Sequence, residues 1–288
     1  MGLVRSAATN RAPYLSYHEN FLRNLGASLM RGPLDPLYKL VPPKNLLLSV
    51  RLCYTVRMKV FAISDLHLSG NNPKPMDIFG SAWDNYTQAI AEDWNKKVTS
   101  EDVVLIAGDI SWAMHLEDAG PDLDWIGTLP GKKILIRGNH DYWWKAIGAV
   151  RSMLPEGMYA LQNDCLRLGD FLFCGSRGWT TPENGGQSAE DKKLCEREAV
   201  RFSLSLSAME KMRKEGDRVV AMIHFPPFNS RFAPSPFTDL FEAHKIDAVV
   251  YGHLHGSSGR QVLRRTVREI PYFLTSCDLV ANTLVQIF

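Results

Sequence analysis

The chain has 288 residues, of which 45% are hydrophobic and 22% are charged, a composition typical of a folded globular protein and not of a disordered one. It contains no run of about 18 apolar residues, which argues against a transmembrane helix, and its net charge of +2 gives no global signal for a polyanionic partner. The five cysteines include no Cys-x-x-Cys pair. Scattered thiols in odd number are typical of a reducing compartment, so we expect a cytoplasmic protein.

The first 57 residues differ in charge from the rest of the chain. They hold eight basic and two acidic side chains, a net charge of +6, which leaves −4 for residues 58–288. We interpret residues 1–57 as a basic N-terminal extension that is either poorly ordered or the product of a start codon assigned too early. An Arg-rich, acid-poor segment is also typical of a targeting peptide, and that alternative stays open. We expect residues 58–288 to form the functional domain.

From Met58 onward, short apolar runs alternate with helical patterns. Runs of three to five nearly all apolar residues predict buried strands, and apolar side chains at steps of three and four predict amphipathic helices. In chain order the prediction is strand 60–63, helix 81–98, strands 103–107 and 134–136, helix 142–154, strand 171–174, helix 188–214, and strands 219–223, 248–251 and 284–288. This alternation predicts an α/β fold.

Side chains of the metal-binding kind follow five of the predicted strands. Five of the eight histidines lie at these strand ends, which is where ligands collect in open α/β sheets. Asp65 and His67 are two positions apart, so in an extended chain their side chains project to the same side, and His253 and His255 repeat the spacing. Carboxylate oxygen and imidazole nitrogen together favour zinc, manganese, iron or cobalt over calcium.

The order of these blocks along the chain is Asp-x-His, Gly-Asp, Gly-Asn-His-Asp, a single His, and Gly-His-x-His. This order resembles the calcineurin-like metallophosphoesterase superfamily, and the resemblance covers residues 58–256. It implies a four-layer α-β-β-α sandwich, in which two mixed sheets pack face to face and helices cover the outer faces. It also implies two bound divalent cations, with Mn²⁺, Fe²⁺ or Zn²⁺ expected.

The resemblance further implies a role for each residue of the blocks. The expected ligands are Asp65, His67 and His255 for the first ion, Asn139, His224 and His253 for the second, and Asp109 as a bridge between both. A hydroxide in the other bridging position would attack phosphorus. His140 would not bind metal but would protonate the leaving oxygen as general acid. The implied activity is hydrolysis of a phosphomonoester or a phosphodiester.

Two other functions remain open from the sequence. A metal-binding scaffold of the same fold would have no turnover, although such a scaffold would not need His140. A nuclease would need clustered Lys and Arg for its polyanionic substrate. A domain of net charge −4 offers no obvious stripe of basic residues. We therefore expect the substrate to be a small-molecule or lipid-linked phosphoester. An apolar entry for a lipid, or ordinary loop packing, would account for four phenylalanines near His224: Phe225, Phe228, Phe232 and Phe237.

Several residues in and around the Gly-Asn-His-Asp block have alternative interpretations. Asp141 would orient His140 only if the two neighbouring side chains turned toward each other, which an extended segment disfavours. Arg137 is either a clamp for phosphate or the partner of a structural ion pair. The aromatic cluster Tyr142, Trp143 and Trp144 is expected to pack in the core more often than to stack on a substrate ring.

Overall fold

The computed structural model describes residues 57–71, 73–183, 186–256 and 262–288. The proposed N-terminal extension lies, except for Arg57, outside the described residues, so the interpretation of residues 1–57 stays a prediction. Within the described ranges no helix is both long enough and apolar enough to cross a membrane.

The described residues form short strands that alternate with helices, as the sequence pattern predicts. The strands are β1 (Val60–Ile63), β2 (Val103–Ile106), β3 (Lys132–Ile136), β4 (Met158–Leu161), β5 (Asp164–Leu168), β6 (Phe171–Ser176), β7 (Arg218–Ile223), β8 (Ala248–Tyr251), β9 (Arg264–Val267), β10 (Ile270–Leu274) and β11 (Val285–Gln286). The α-helices are α1 (Tyr86–Lys97), α2 (Gly120–Thr128), α3 (Ile147–Met153), α4 (Ala189–Met212) and α5 (Pro236–Ala243).

These strands form two mixed sheets. In the first, the order is β11-β1-β2-β3-β4, with β11 antiparallel to β1 and the other neighbours parallel. In the second, the order is β5-β6-β7-β8-β10-β9, in which the two edge strands β5 and β9 are antiparallel and the central strands are parallel. The parallel strands of both sheets therefore bring their carboxyl ends to one edge each.

Alternation along the buried strands creates three apolar layers. In β1, Val60 and Ala62 belong to the cluster shared with the second sheet, whereas Phe61 packs toward the helices. In β7, Val220 joins the central cluster and Val219 packs outward against α4 and α5. Since strand side chains alternate between faces, a strand that is apolar throughout is buried on both. The predicted four-layer α-β-β-α sandwich is confirmed.

Two predicted helices are shorter in the structure than in the sequence pattern. The helix predicted over 81–98 begins at Tyr86, after a 3₁₀ turn at Ser81–Trp83 and a left-handed residue, Asn85, with φ of 51°. The helix predicted over 142–154 occupies only Ile147–Met153, because residues 142–143 form a turn. Trp143 and Trp144 are fully buried, which confirms the core interpretation for both, whereas Tyr142 is 43% exposed, so the core interpretation is wrong for Tyr142.

The sequence analysis missed four strands, β4, β5, β9 and β10, and two helices, α2 and α5. Strands β5 and β9 are only half-buried or exposed, so neither carries the continuous apolar run that marks a central strand. Helix α5 begins in the proline-rich segment after His224, where Pro236 occupies the first turn and Ser235 caps it through its hydroxyl. Proline at that position is compatible with a helix start, since its missing N–H has no helical partner there.

Candidate active site

Loops from both sheets meet at the carboxyl ends of β1, β2, β3, β7 and β8. The backbone N–H of Asp65 donates to Gly108 O at 2.9 Å, which joins the loops after β1 and β2. The backbone N–H of His253 donates to the Asp65 carboxylate at 3.0 Å, which joins β1 of the first sheet to β8 of the second. The loop after β3 also comes close to the loop after β2. Only glycine fits at position 138, because a Cβ there would lie 2.1 Å from Asp109 Oδ1.

Four of the predicted metal ligands have a left-handed backbone. The φ angles are 59° at Asp65, 45° at His67, 51° at Asp109 and 72° at His253. Non-glycine residues adopt this region rarely, although Asp and His tolerate it better than most, and such strained residues gather at functional sites. These four residues follow the ends of their strands, and their side chains lie in the two candidate metal groups described next.

The first candidate metal group consists of Asp65, His67 and His255, whose ligand atoms all lie within 4.8 Å of one another. Two ring nitrogens face each other here, with His67 Nε2 3.4 Å from His255 Nε2. The Asp65 Oδ1 atom is also 3.4 Å from His255 Nε2. The three residues predicted for the first ion are therefore together.

The second candidate metal group consists of Asp109, His224 and His253, within the same 4.8 Å limit. Asn139 joins them through its side-chain oxygen, which is 2.7 Å from His224 Nε2 and 2.9 Å from His253 Nδ1. His224 Nδ1 lies 2.9 Å from the carbonyl oxygen of Ala107. Because a carbonyl only accepts, that nitrogen carries the proton and Nε2 is left to face the group.

Asp109 lies between the two groups. Its Oδ2 atom is 3.4 Å from His224 Nε2 in the second group and 3.9 Å from His67 Nε2 in the first. Its other oxygen, Oδ1, accepts a hydrogen bond from the backbone N–H of His140 at 2.8 Å. One carboxylate thus faces both groups with one oxygen and is held in place by the other.

Burial and neighbouring charges shift the pKa values of the site residues in opposite directions. Burial lowers the pKa of His67 and of His253 to about 4, so both imidazoles are neutral near pH 7 and able to donate a lone pair. Burial opposes protonation of His224, but the charge of Asp109 and the hydrogen bond to it, with the charge of Asp65, together raise the pKa of His224 to about 9. For Asp109, burial alone would raise the pKa, yet the charge of His224, the hydrogen bond to it and the charge of His67 together hold that pKa below its usual value.

Asp278, which the sequence analysis missed, supports the first group. Its Oδ1 accepts from His255 Nδ1 at 2.9 Å, and its Oδ2 accepts from the backbone N–H of Gly256 at 3.0 Å. Burial lowers the pKa of His255, but its hydrogen bonds to Asp278 and Asp65 and the charges of these two carboxylates together outweigh burial and raise that pKa to about 10. Asp278 follows the end of β10 by four positions, so the strand-end signal that marked the other residues could have found it.

His140 lies beside the first group. Its ring centroid is 5.6 Å from that of His67 and 4.8 Å from that of Trp112, and among the described residues its Nδ1 has no hydrogen-bond partner. Trp112 also stacks on His67, with the ring centroids 4.6 Å apart. Trp112 therefore packs against a predicted ligand and the predicted general acid at once.

Asp141 does not orient His140. Its carboxylate is fully buried and accepts from the backbone N–H of Ile110, Ser111 and Gly138 and from Trp143 Nε1. Burial, aided by the charge of Asp109, raises its pKa to about 6. The side chains of neighbouring residues diverge as expected, and Asp141 instead ties the loop after β2 to the loop after β3.

Arg137 has no ion-pair partner among the described residues, and its Nε is buried without a hydrogen bond. The interpretation as a structural ion-pair partner is therefore wrong for the described part of the chain. The phosphate-clamp alternative stays a prediction. Of the four phenylalanines, Phe237 packs in the core against Phe202 of α4, and Phe225 packs on the His253 ring with centroids 4.3 Å apart.

The family model of calcineurin-like phosphoesterases matches residues 58–257. The chain belongs to this family. Its match covers every strand end that carries a candidate ligand, and the family is metal-dependent, in agreement with the two groups that the structure brings together. The resemblance stated from the motifs is confirmed.

Individual relatives of this calcineurin-like phosphoesterase are distant. Over 82 residues it is 38% identical to the gene 66 protein of Mycobacterium phage D29, a match that spans 28% of this chain and only 40% of that protein. TT1561 of Thermus thermophilus is similar in fold, with a TM-score of 0.53 and 12% identity over 80% of this chain and 97% of that one. For phosphopantetheinyl hydrolase of Mycobacterium tuberculosis the TM-score is 0.48 and the identity 15%, over 80% and 95% of the two chains.

The donor set fits divalent transition-metal ions. Carboxylate oxygens, imidazole nitrogens and one amide oxygen are ligands that zinc, manganese and iron accept. In the first group, the Nε2 atoms of His67 and His255 face each other at 3.4 Å beside the buried carboxylate of Asp65. A cation between these three side chains would accept a lone pair from each, whereas a single proton joins only two of them. Asp65 and Asp109 are both buried beside His255 and His224, and a bound cation would replace the protons of these histidines as the countercharge that buried carboxylates need.

Proposed function

We propose that this calcineurin-like phosphoesterase hydrolyses a phosphomonoester or phosphodiester of a small or lipid-linked molecule with the help of two divalent cations. The observation that carries the proposal is the position of Asp109 Oδ2, 3.4 Å from His224 Nε2 and 3.9 Å from His67 Nε2. A carboxylate oxygen that faces two separate candidate groups is suited to hold two ions close together, as a two-metal phosphoesterase requires.

Each ion would have its own ligands and share Asp109. Asp65, His67 and His255 would hold the first, and Asn139, His224 and His253 would hold the second. When bound, such a pair of ions supplies a water of lowered pKa as nucleophile and neutralises charge on the phosphoryl oxygens. Mn²⁺, Fe²⁺ and Zn²⁺ all suit these ligands.

The charge of the site favours an anionic ester. Two divalent ions contribute about +4, two aspartates about −2 and a hydroxide about −1, which leaves roughly +1 to attract the substrate. Asn139 is central to this balance, because an amide binds through its oxygen without adding negative charge. Its contacts at 2.7 and 2.9 Å with two histidines of the second group support this role.

His140 would act as the general acid that protonates the leaving oxygen. Its backbone N–H is bound to Asp109 Oδ1 at 2.8 Å, which fixes the residue beside both groups. Its Nδ1 has no partner in the part of the chain that the structure describes, and Trp112 packs against the ring. The ring is partly exposed and its Nδ1 is buried, so Nε2 would be the nitrogen that meets a substrate oxygen.

The alternatives require different measurements. A scaffold would bind metal without turnover, and a nuclease would prefer polynucleotides over small esters. Cytoplasmic location remains a proposal that the four free thiols of the described residues support: Cys165, Cys174, Cys195 and Cys277.

The test is a hydrolysis panel of monoesters, diesters and oligonucleotides with Mn²⁺, Zn²⁺, Fe²⁺ and Mg²⁺. We expect turnover of a small ester and a loss of about 10²–10⁴-fold in kcat in His140→Ala, as for removal of a general acid, with unchanged metal content. His115→Ala is the matched control, since this exposed histidine lies outside both groups. Tight binding of metal without hydrolysis of any ester would favour the scaffold, and full turnover in His140→Ala would exclude the assigned acid role.

A further inference from the structure

A cavity of about 360 Å³ is lined in part by residues that neighbour the candidate metal ligands in the chain. Tyr251 and Leu274, the last residues of β8 and β10, form part of its wall. Leu254 forms another part and stands in the chain between His253 and His255. Because consecutive Cα atoms are about 3.8 Å apart, the wall of the cavity is one residue away from a predicted ligand of each ion.

Most of the wall is apolar, and three of its four polar side chains, Glu183, Asn229 and Ser230, have partners within the protein. The apolar part includes Pro226, Phe228, Phe232, the ring of Tyr251, Leu254 and Leu274. The Glu183 carboxylate accepts from the backbone N–H and the hydroxyl of Ser230, both at 2.8 Å. Asn229 donates to Pro182 O at 2.8 Å and accepts from the backbone N–H of Ala233 at 3.1 Å. Since these groups are satisfied within the protein, the cavity favours an apolar ligand.

Packing within the loop after β7 holds the wall in place. Phe228 is buried and packs edge to face on Tyr251 and Tyr272, with ring centroids 5.5 and 5.2 Å away. Phe232 stacks on Phe228 at 4.9 Å, and the Arg265 guanidinium covers its ring at 3.7 Å. Because these contacts order the wall in the free protein, binding of a ligand costs little conformational entropy.

We propose that this cavity binds the apolar ester group of the substrate whose phosphoryl group lies at the metal centre. The inference rests on the proposed function and narrows its substrate class. A volume of about 360 Å³ is near the lower end of ligand sites, about 300–1,000 Å³. It therefore suits one short alkyl chain or one ring, and it is too small for a lipid with two acyl chains.

The first arm of the test is a series of para-nitrophenyl alkyl phosphates with methyl, butyl and octyl groups. The leaving group is the same throughout, so differences in kcat/KM report how the alkyl group binds. Each buried methylene is worth up to about fourfold, and we expect at least a tenfold rise in kcat/KM from methyl to butyl.

The variant Val262→Trp places a large side chain in the wall of the cavity. Val262 is 42% exposed, so the substitution leaves the core intact, and it lies outside both metal groups. We expect kcat/KM for the methyl ester within twofold of the native value and the preference for butyl to disappear. Val200→Trp is the matched control, because Val200 is 61% exposed on α4 and is not part of the cavity wall.

The second arm measures binding without turnover, by calorimetry of methyl-, butyl- and phenylphosphonate, which have no ester bond to hydrolyse, with the metal-loaded protein. We expect butyl- or phenylphosphonate to bind at least tenfold more tightly than methylphosphonate, with a more negative heat-capacity change, and Val262→Trp to abolish the difference. Hydrolysis of the methyl ester with no preference in either arm would refute the cavity inference alone. Absence of hydrolysis, with a preference in binding that Val262→Trp removes, would refute the proposed function alone.

Discussion

Asp278→Asn tests how strongly the first metal group depends on a residue outside it. The Asp278 side chain is 4% exposed and accepts one hydrogen bond on each oxygen, from His255 Nδ1 at 2.9 Å and from Gly256 N–H at 3.0 Å. Asparagine keeps the shape but offers only one accepting oxygen, so its NH₂ must face one of these two donors. The change removes one charge-assisted hydrogen bond and places the asparagine NH₂ opposite another donor.

The expected loss is about 10–100-fold in affinity for one of two ions, the range found when a carboxylate that supports a ligating histidine is removed. This corresponds to about 1.4–2.8 kcal/mol. The assay is a competitive titration of the metal-free protein with Mn²⁺ or Zn²⁺ against a chelating dye, at a fixed and mildly alkaline pH. One ion should bind more weakly, and the other should retain nearly its native affinity.

Asp239→Asn is the matched control for this titration, because Asp239 is a carboxylate with 61% of its side chain exposed, paired with Arg268 on the surface. It should bind both ions as the native protein does. Native affinity for both ions in Asp278→Asn would refute the reasoning, since the hydrogen bond from His255 would then have no part in holding the ligand. A loss for both ions to the same degree would show that the two groups do not bind separately.

Three further predictions concern charge and protonation at the site. Asn139→Asp should raise KM for an anionic ester more than Asn139→Gln does, because it adds negative charge, and equal KM values in steady-state kinetics at saturating metal would contradict the charge balance. The pKa values of His224 and His255, raised to about 9 and about 10, predict metal binding that tightens as pH rises from neutral, since a bound ion must displace their protons. The stability that these protonated histidines lend to the metal-free protein is full below the unfolded pKa of about 6.5 and is lost as pH rises through 9 and 10. Thermal unfolding with chelator should therefore show a midpoint that falls over this range, and a flat midpoint would count against the assigned partners. Asp141→Asn should destabilise the fold by about 2 kcal/mol, because its NH₂ would face N–H donors that now bind a carboxylate. Denaturant unfolding measures this loss, and a change below about 0.5 kcal/mol would be within the range of an ordinary surface substitution.

Much of the site was predictable because strand periodicity and ligand spacing are local. The run at 60–63 marks β1, and Asp65 and His67 follow it directly. Their left-handed backbone is not the extended chain that the spacing argument assumed, so their meeting is due to the turn after β1. Strands β5 and β9 and the short helix α5 were not predictable in this way. Strand β9 is mostly exposed, and it is defined by its pairing with β10, which is a contact rather than a pattern.

The chain alone determined which side chains are able to bind metal, because residue type decides donor chemistry. Spacing did not decide which of them share an ion, since His253 and His255 belong to different groups although they are two positions apart. Which distant blocks share one ion was a matter of tertiary structure: His67 and His255 are 188 positions apart and their ring nitrogens lie 3.4 Å from each other. The same holds for Asp278 and for the cavity wall, where β8, β10 and the loop after β7 meet only once the second sheet has assembled. Local sequence carries no information on such tertiary contacts, since they depend on the packing of whole strands against one another.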